Sequence, residues 1–194
     1  TPTVPEAPAR VTRRWLRELP PPPTRPVVPY LQAVHDRGAV EVQRGCTRGC
    51  RFCQAGAIYR PLRRRPPEQI VEAVGQLIHN CGYQEIALLA LSASDYPGIE
   101  GVVAAIQERY GEDSIKISLP SLRLASFSVR LAESLSGQKK LGLTFAPEAG
   151  TYRLRQAINK TATEEAILEA LDLALARGWN SIKLYFMVGL PTET

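Results

Sequence analysis

Residues 39–53 read Ala39-Val40-Glu41-Val42-Gln43-Arg44-Gly45-Cys46-Thr47-Arg48-Gly49-Cys50-Arg51-Phe52-Cys53. The first five residues have the character of a short β-strand, and three cysteines follow it on one short loop. Two glycines allow this loop to curl until the sulfurs converge, and the neighbouring arginines place positive charge where thiolates must form. Three soft thiolates at this spacing predict a metal site directly after a strand.

The number of cysteines separates the kinds of site. Three ligands fit an iron–sulfur cluster with one iron left open, since a closed electron-transfer cluster takes four cysteines. Zinc needs a fourth ligand, for which His35, His79 and Cys81 are the candidates, but none repeats the paired spacing of a structural zinc site. Four cysteines in 194 residues are too sparse for a disulfide-stapled secreted scaffold, and no signal peptide is visible. We therefore expect a cytoplasmic protein in a reducing compartment.

The Cys-x-x-x-Cys-x-x-Cys spacing, with Phe52 just before the third cysteine, resembles the radical S-adenosylmethionine (SAM) superfamily. The resemblance implies that Cys46, Cys50 and Cys53 hold a four-iron, four-sulfur (4Fe-4S) cluster whose open iron is chelated by SAM. It also implies an electron donor of the flavodoxin or ferredoxin type, reductive cleavage of SAM, and a 5′-deoxyadenosyl radical aimed at a substrate. Phe52 would pack near adenine. No general acid or base can be assigned.

The rest of the chain alternates short apolar runs with amphipathic helices, which is typical of βαβ units around a parallel sheet. Strands are expected over 39–43, 86–91, 115–119, 140–145 and 182–188. Helices are expected over 66–81, 99–106, 127–135 and 152–158, and a last one begins at the cap Thr163 and ends at Gly178. These units resemble a partial (β/α)6 TIM-like barrel truncated after its fifth strand, so that residues 31–194 would be a core incomplete at its C-terminus.

The first thirty residues differ in composition from the rest. They hold nine of the sixteen prolines, including four in a row at 20–23, and four arginines around Trp15. We expect residues 1–30 to be a Pro/Arg-rich linker from a missing upstream domain. No apolar run is long enough to cross a bilayer, so no membrane partner is expected.

Polar residues follow the expected second and third strands, at the end where ligands gather in an α/β barrel. For Ser92, Ser94 and Asp95 the resemblance implies the loop that holds the methionyl amine of SAM, and a helix cap would explain Ser94 and Asp95 nearly as well. After the third strand, Ser121 would meet the ribose. Arg123 would bind a carboxylate or an anionic substrate, unless it is simply solvated or paired.

Two further motifs follow the fourth and fifth strands. The run Phe145-Ala146-Pro147-Glu148-Ala149-Gly150-Thr151 resembles cobalamin-associated and methylthiotransferase-like members of the superfamily. In those members the acidic residue touches the cofactor, and a basic residue one helix later, here Lys160, meets its carboxylate. A turn residue and a lysine favoured by the helix dipole would look the same. The run from Val188 to Thr194 resembles the family's closing turn, which implies that the backbone of Val188 and Gly189 packs near adenine.

The substrate is predicted only in outline. Seven arginines and no acidic residue lie between Val42 and Pro67, and the net charge is +5. A basic mouth suits RNA phosphates, and it suits equally a loop that stabilises thiolates or a solvated face. Cobalamin would be available only through the missing domain. The alternatives to a radical enzyme are a non-reacting iron–sulfur RNA-binding or scaffold module and, less favoured, a zinc-stabilised domain.

Overall fold

The computed structural model describes residues 4, 6, 12–31, 36–111, 115–124, 127, 129–136 and 143–194. Its strands are β1 (Gly38–Glu41), β2 (Gln43–Arg44), β3 (Arg63–Arg64), β4 (Glu85–Leu89), β5 (Lys116–Ser118), β6 (Leu143–Glu148) and β7 (Ile182–Phe186). Its helices are α1 (Gln54–Ile58), α2 (Pro67–Cys81), α3 (Ile99–Tyr110), α4 (Val129–Ser136), α5 (Tyr152–Ala157) and α6 (Glu164–Ala176), and a 3₁₀ turn covers Ala93–Asp95. Residues 140–142 of the expected fourth strand, residue 128 of the expected third helix, and His35 lie outside the described residues.

The described strands form two parallel sheets and one antiparallel hairpin. Strands β1, β4 and β5 pair in that order, β6 pairs with β7, and β2 pairs with β3 in the antiparallel sense. The α/β architecture with parallel strands is confirmed. Among the described residues no pairing joins β5 to β6, so the partial barrel truncated after its fifth strand stays a prediction. The expected first strand divides at Val42 into β1 and β2.

Residues with known preferences for helix ends set the bounds of α2 and the start of α6. Pro67 opens α2 without losing a hydrogen bond, and Gly82, at φ 70°, closes it in the left-handed region. The Thr163 hydroxyl caps α6 by accepting from the backbone N–H of Ala166 at 3.2 Å. Helix α4 begins at Val129, so Phe127 precedes it rather than opening it.

One face of the β1–β4–β5 sheet carries the core. The alternation of strand side chains directs Val40, Ile86 and Leu88 towards α2 and α3, where all three are fully buried. Glu41 and its register partner Leu89 point to the opposite face, which we call the inner face, and both are partly exposed. Because β1, β4 and β5 are parallel, the segments that follow them begin at the same edge of the sheet, at the carboxyl ends of the strands.

The described part of the N-terminal segment, residues 12–31, contains no helix or strand, but it touches the rest of the chain. Arg63 donates to the carbonyl of Leu16 at 3.1 Å, and its guanidinium lies 6.0 Å from the Trp15 ring. Asn80 donates to the carbonyl of Thr24 at 3.1 Å. Within the described residues, no helix combines the length and the apolar character that crossing a membrane requires.

Candidate cofactor site

The three cysteines lie on the loop between β2 and α1, and all three are free thiols of intermediate exposure. Cys53 is the N-cap of α1, where its sulfur accepts from the backbone N–H of Gly56 at 3.3 Å. The loop begins at Gly45, whose φ is 92°. A Cβ at this position would lie 2.6 Å from the carbonyl oxygen of Tyr59, so only glycine fits this turn.

A cavity of about 310 Å³ opens beside this loop at the carboxyl ends of the strands. Nine of the residues expected at the site line it: Cys46, Cys50, Phe52, Cys53, Ser92, Ser121, Arg123, Glu148 and Lys160. The structure therefore brings together the end of β6 and the loops after β2, β4 and β5. Four expected residues are not on its wall: Ser94, Asp95, Val188 and Gly189.

Asp95 and Ser94 hold neighbouring loops in place. The Asp95 carboxylate accepts from two nitrogens of Arg48, with Nε at 2.8 Å, and from the Ser92 hydroxyl at 2.7 Å. Burial raises the pKa of Asp95, but the hydrogen bonds from Arg48 and Ser92 outweigh it and hold the pKa below its usual value. The Ser94 hydroxyl accepts from the backbone N–H of Arg123 at 2.9 Å. The helix-cap interpretation is wrong for both residues, since the N-cap of α3 is Gly98.

Arg123 reaches the cysteine loop from the segment after β5. Its Nη1 lies 3.9 Å from the sulfur of Cys50, and its Nε lies 3.9 Å from Asp95 Oδ2. The side chain is only 20% exposed, so the solvated interpretation is wrong. Arg123 therefore places a positive charge beside one of the three cysteines expected to hold the cluster.

Glu148 and Lys160 form an ion pair on the cavity wall. The Lys160 ammonium lies 2.8 Å from Glu148 Oε1, and the two side chains are 15% and 14% exposed. Glu148 has φ 69°, a left-handed conformation that is uncommon outside glycine and is enriched at functional sites. Because Lys160 pairs with this carboxylate, its position does not depend on the helix dipole alone.

The cysteine loop is fastened to α5 by residues that the sequence reasoning missed. The Arg51 backbone N–H donates to the carbonyl of Ile158 at 2.9 Å, and its guanidinium donates to that of Ala157. The Asn159 side chain donates to the carbonyls of Arg48 and Gly49, at 3.2 and 2.9 Å. We call Arg51 and Asn159 the α5 staple. An asparagine just after a short helix was the available signal, because asparagine tolerates the left-handed φ of 56° found here.

A second missed residue, Arg155, supports the turn after Glu148. It is 2% exposed and donates to the carbonyls of Ala149 and Gly150, both at 3.0 Å, and to that of Ala162 at 2.6 Å. In the sequence it looks like an ordinary solvated helix residue, since arginine is seldom fully buried.

The closing turn holds itself together. Glu193 accepts from the backbone N–H groups of Gly189 and Leu190 at 2.7 and 2.8 Å, and Arg153 of α5 donates to Thr192. The expected fifth strand ends at Phe186, and the Val188 side chain is 93% exposed. A role for Val188 and Gly189 near adenine stays a prediction.

The donor set fits a cluster better than a single ion. Among the described residues, no three His, Cys, Asp or Glu side chains gather in a way that could hold one metal ion, as zinc requires. His79 and Cys81 lie at the end of α2 and are not on the cavity wall. In a cluster each cysteine binds a different iron, so the three sulfurs must line a common volume, and the cavity provides one.

Comparisons with known proteins agree on one family. Residues 40–194 match the radical SAM superfamily. An uncharacterised protein of Methanocaldococcus jannaschii is 38% identical over 172 residues, which cover 86% of this chain and 37% of that protein. A tRNA-2-methylthio-N(6)-dimethylallyladenosine synthase of Desulforamulus reducens is 27% identical, covering 80% of this chain and 36% of the synthase. This chain thus spans about a third of the length of these relatives.

A structural likeness supports the same fold. TsrM from Kitasatospora setae, a radical SAM methyltransferase solved with its tryptophan substrate and a SAM analogue, superimposes with a TM-score of 0.67. The identity is 16%, and the match covers 82% of this chain and 32% of TsrM. Another structure of TsrM holds cobalamin and a [4Fe-4S] cluster. At this identity the likeness shows the fold alone.

The family match covers most of the chain and includes the cysteine loop and every other residue of the cavity wall. The expectation of a 4Fe-4S cluster and SAM as cofactors is thereby confirmed, as is the expectation of an enzyme family. This chain belongs to the radical SAM superfamily.

Proposed function

We propose that this chain is the catalytic domain of an enzyme that cleaves SAM reductively and uses the resulting radical to modify RNA. The observation that carries the proposal is the shared cavity, in which three free cysteines, Arg123 and the Glu148–Lys160 pair face one volume. A cluster site and an ionic site for an amino-acid group are both needed to orient SAM.

Different residues of the cavity would bind the cluster and the amino-acid group of SAM. Cys46, Cys50 and Cys53 would hold the cluster, which with SAM supplies reductive cleavage of a carbon–sulfur bond and a 5′-deoxyadenosyl radical. Lys160 would bind the SAM carboxylate and Glu148 its amine, so that the existing ion pair exchanges partners when the cofactor enters. Buried ion pairs of this kind fix orientation, which is the protein's main contribution when the cofactor does the chemistry.

Further residues would contact the nucleoside part of SAM. Phe52 and Ser121 lie on the cavity wall and would meet adenine and the ribose, respectively. The walls exclude water from one side, because Phe145, Leu122 and Pro120 line the same cavity. The backbone of Val188 and Gly189 keeps its proposed place near adenine.

RNA as the substrate is supported by the tRNA-modifying relative and by the excess of basic residues. We propose a reductant of the flavodoxin or ferredoxin type and a cytoplasmic location. Any cobalamin would be bound by a region other than residues 31–194. The division into a linker, residues 1–30, and a catalytic core also stays a proposal.

The test is anaerobic reconstitution with iron and sulfide, followed by electron paramagnetic resonance of the reduced protein with and without SAM. We expect a reduced-cluster signal that changes when SAM is added, and formation of 5′-deoxyadenosine. Cys50→Ala should abolish that product, whereas Cys81→Ala, which alters the cysteine off the cavity wall, should retain it.

Other outcomes would favour the alternatives. A cluster signal that SAM leaves unchanged would favour the non-reacting iron–sulfur module. A colourless protein with stoichiometric zinc would favour the zinc-stabilised domain. Product formation by Cys50→Ala would contradict the assignment of the cysteine loop.

A further inference from the structure

A second cavity, of about 530 Å³, lies on the inner face beside the cysteine loop. Its wall includes Glu41 of β1, Arg44 of β2, Tyr59 and Leu89. Leu91 lines both this cavity and the cluster cavity, so the two are neighbours. A substrate held here would lie next to the place where the radical forms.

The polar part of this cavity is a two-bonded ion pair. Arg44 donates from Nε to Glu41 Oε1 at 2.8 Å and from Nη2 to Glu41 Oε2 at 2.6 Å. Both side chains are about a third exposed, at 35% and 32%. Since the pair uses two of the three guanidinium nitrogens, its outer edges offer further donors and acceptors in one plane.

The apolar part consists of three large side chains that the core leaves exposed. Tyr59 is 47% exposed, Leu89 37% and Leu91 42%. Flat aromatic and aliphatic surfaces around a planar polar pair suit a ligand with apolar faces and a hydrogen-bonding edge.

Gln43 connects this cavity to the cluster cavity. It lines the second cavity, is 3% exposed, and donates to the carbonyl of Ser92 at 2.8 Å. Among the described residues its Oε1 has no hydrogen-bond partner. A buried acceptor without a partner indicates a place that a donor on a ligand could complete.

We infer that the second cavity binds one unstacked nucleobase of the RNA substrate, with its edge on the Glu41–Arg44 pair and its faces against Tyr59 and the leucines. The inference rests on the proposed function. A nucleobase combines apolar faces with a planar edge of donors and acceptors. Enzymes that react with a base must first take it out of the stack, and this cavity has the volume to receive it.

The test is equilibrium dialysis of the reconstituted full chain, saturated with SAM, against each of the four ribonucleoside 5′-monophosphates. A parallel dialysis uses a mixture of free amino acids that includes tryptophan. We expect one monophosphate to bind, and we expect Glu41→Gln and Arg44→Lys each to weaken its binding about tenfold, since a bidentate pair is lost. The matched control is Glu85→Gln, which alters another ion pair, Arg37–Glu85, at the amino-terminal ends of β1 and β4 and off the wall of this cavity.

A further variant guards against loss of folding. Leu89→Trp fills the cavity while keeping both charged groups of the Glu41–Arg44 pair, so it should abolish nucleotide binding while SAM still binds. Binding of no monophosphate, binding of an amino acid instead, or binding that all three cavity variants leave unchanged would overturn the inference. Formation of 5′-deoxyadenosine on reduction of the same samples tests the proposed function separately, because nucleotide binding requires no radical.

Discussion

The cysteine loop and the closing turn are two loops of similar length that the fold holds in different ways. Side chains from three distant segments hold the cysteine loop: Asp95 before α3, Arg123 after β5, and Asn159 after α5. The closing turn depends on its own Glu193 and on Arg153. A loop that must present three thiols to one volume thus has its position set by long-range contacts, whereas local hydrogen bonds suffice for a turn.

The largest effect should come from Gly45→Ala, which strains the start of the cysteine loop. The new Cβ would meet the Tyr59 carbonyl at 2.6 Å in a backbone conformation that favours glycine. We expect a loss of about 2 kcal/mol or more in the free energy of unfolding, and a protein that binds little iron. Urea unfolding measures the free energy of unfolding, and an iron assay after reconstitution measures the bound iron.

The control is Gly101→Ala within α3, where a Cβ would meet nothing within 4 Å. It should leave iron content unchanged and raise stability slightly, because alanine favours helix over glycine. If both substitutions lowered iron content and the free energy of unfolding equally, the special requirement for glycine at position 45 would be contradicted.

A smaller effect is expected from Asn159→Ala, which removes half of the α5 staple. Two hydrogen bonds to the loop are lost, at about 1 kcal/mol each. In the protein before reconstitution, in a Cys81→Ala background, the three remaining thiols should be alkylated faster. Asn159→Gly should show the same increase, since glycine keeps the backbone conformation but not the hydrogen bonds. If the thiols of either variant were alkylated at the parent's rate, the claim that Asn159 holds the cysteine loop would be contradicted.

Asp95→Asn should have a smaller, pH-dependent effect. The folded pKa of Asp95 is depressed, so its contribution is present above the unfolded pKa and is lost as the pH falls through the folded pKa. We expect a loss of about 1 kcal/mol at pH 7, kept low by the 44% exposure of Arg48, and convergence with the parent as the pH falls through the folded pKa of Asp95. Urea unfolding at a series of pH values checks this, and a pH-independent difference would contradict it.

The smallest effect belongs to the closing turn. Glu193→Gln weakens two hydrogen bonds at an exposed site and should cost about 0.5 kcal/mol or less. Thiol alkylation should match the parent, because none of these contacts reaches the cysteine loop. Faster alkylation would show that the two loops are coupled.

The sequence predicts the features that local chemistry decides. The bounds of α2, the Thr163 cap and the chemistry of the cysteine loop follow from residues close in the chain. The hairpin of β2 and β3 was missed, because each strand has two residues and no alternation can show in that length. Helix α1, with five residues, was missed for a similar reason.

Long-range partners explain the remaining differences. The arginine run looks in sequence like a basic mouth, but Arg44, Arg48, Arg51, Arg63 and Arg65 all donate to groups within the protein. Much of this positive charge therefore fastens the cysteine loop and the hairpin. Asp95, whose contact with the cofactor stays a prediction, accepts from Arg48, a partner 47 residues away that no local pattern could indicate.

Asn159 and Lys160 are adjacent in the chain, yet their side chains bind two different parts of the protein. One side chain holds the cysteine loop, and the next enters the cluster cavity to meet Glu148. Because consecutive Cα atoms are held about 3.8 Å apart, neither can move far without the other. Under the proposed function, in which Lys160 binds SAM, we therefore expect cluster insertion and SAM binding to favour each other, and by the same factor in both directions.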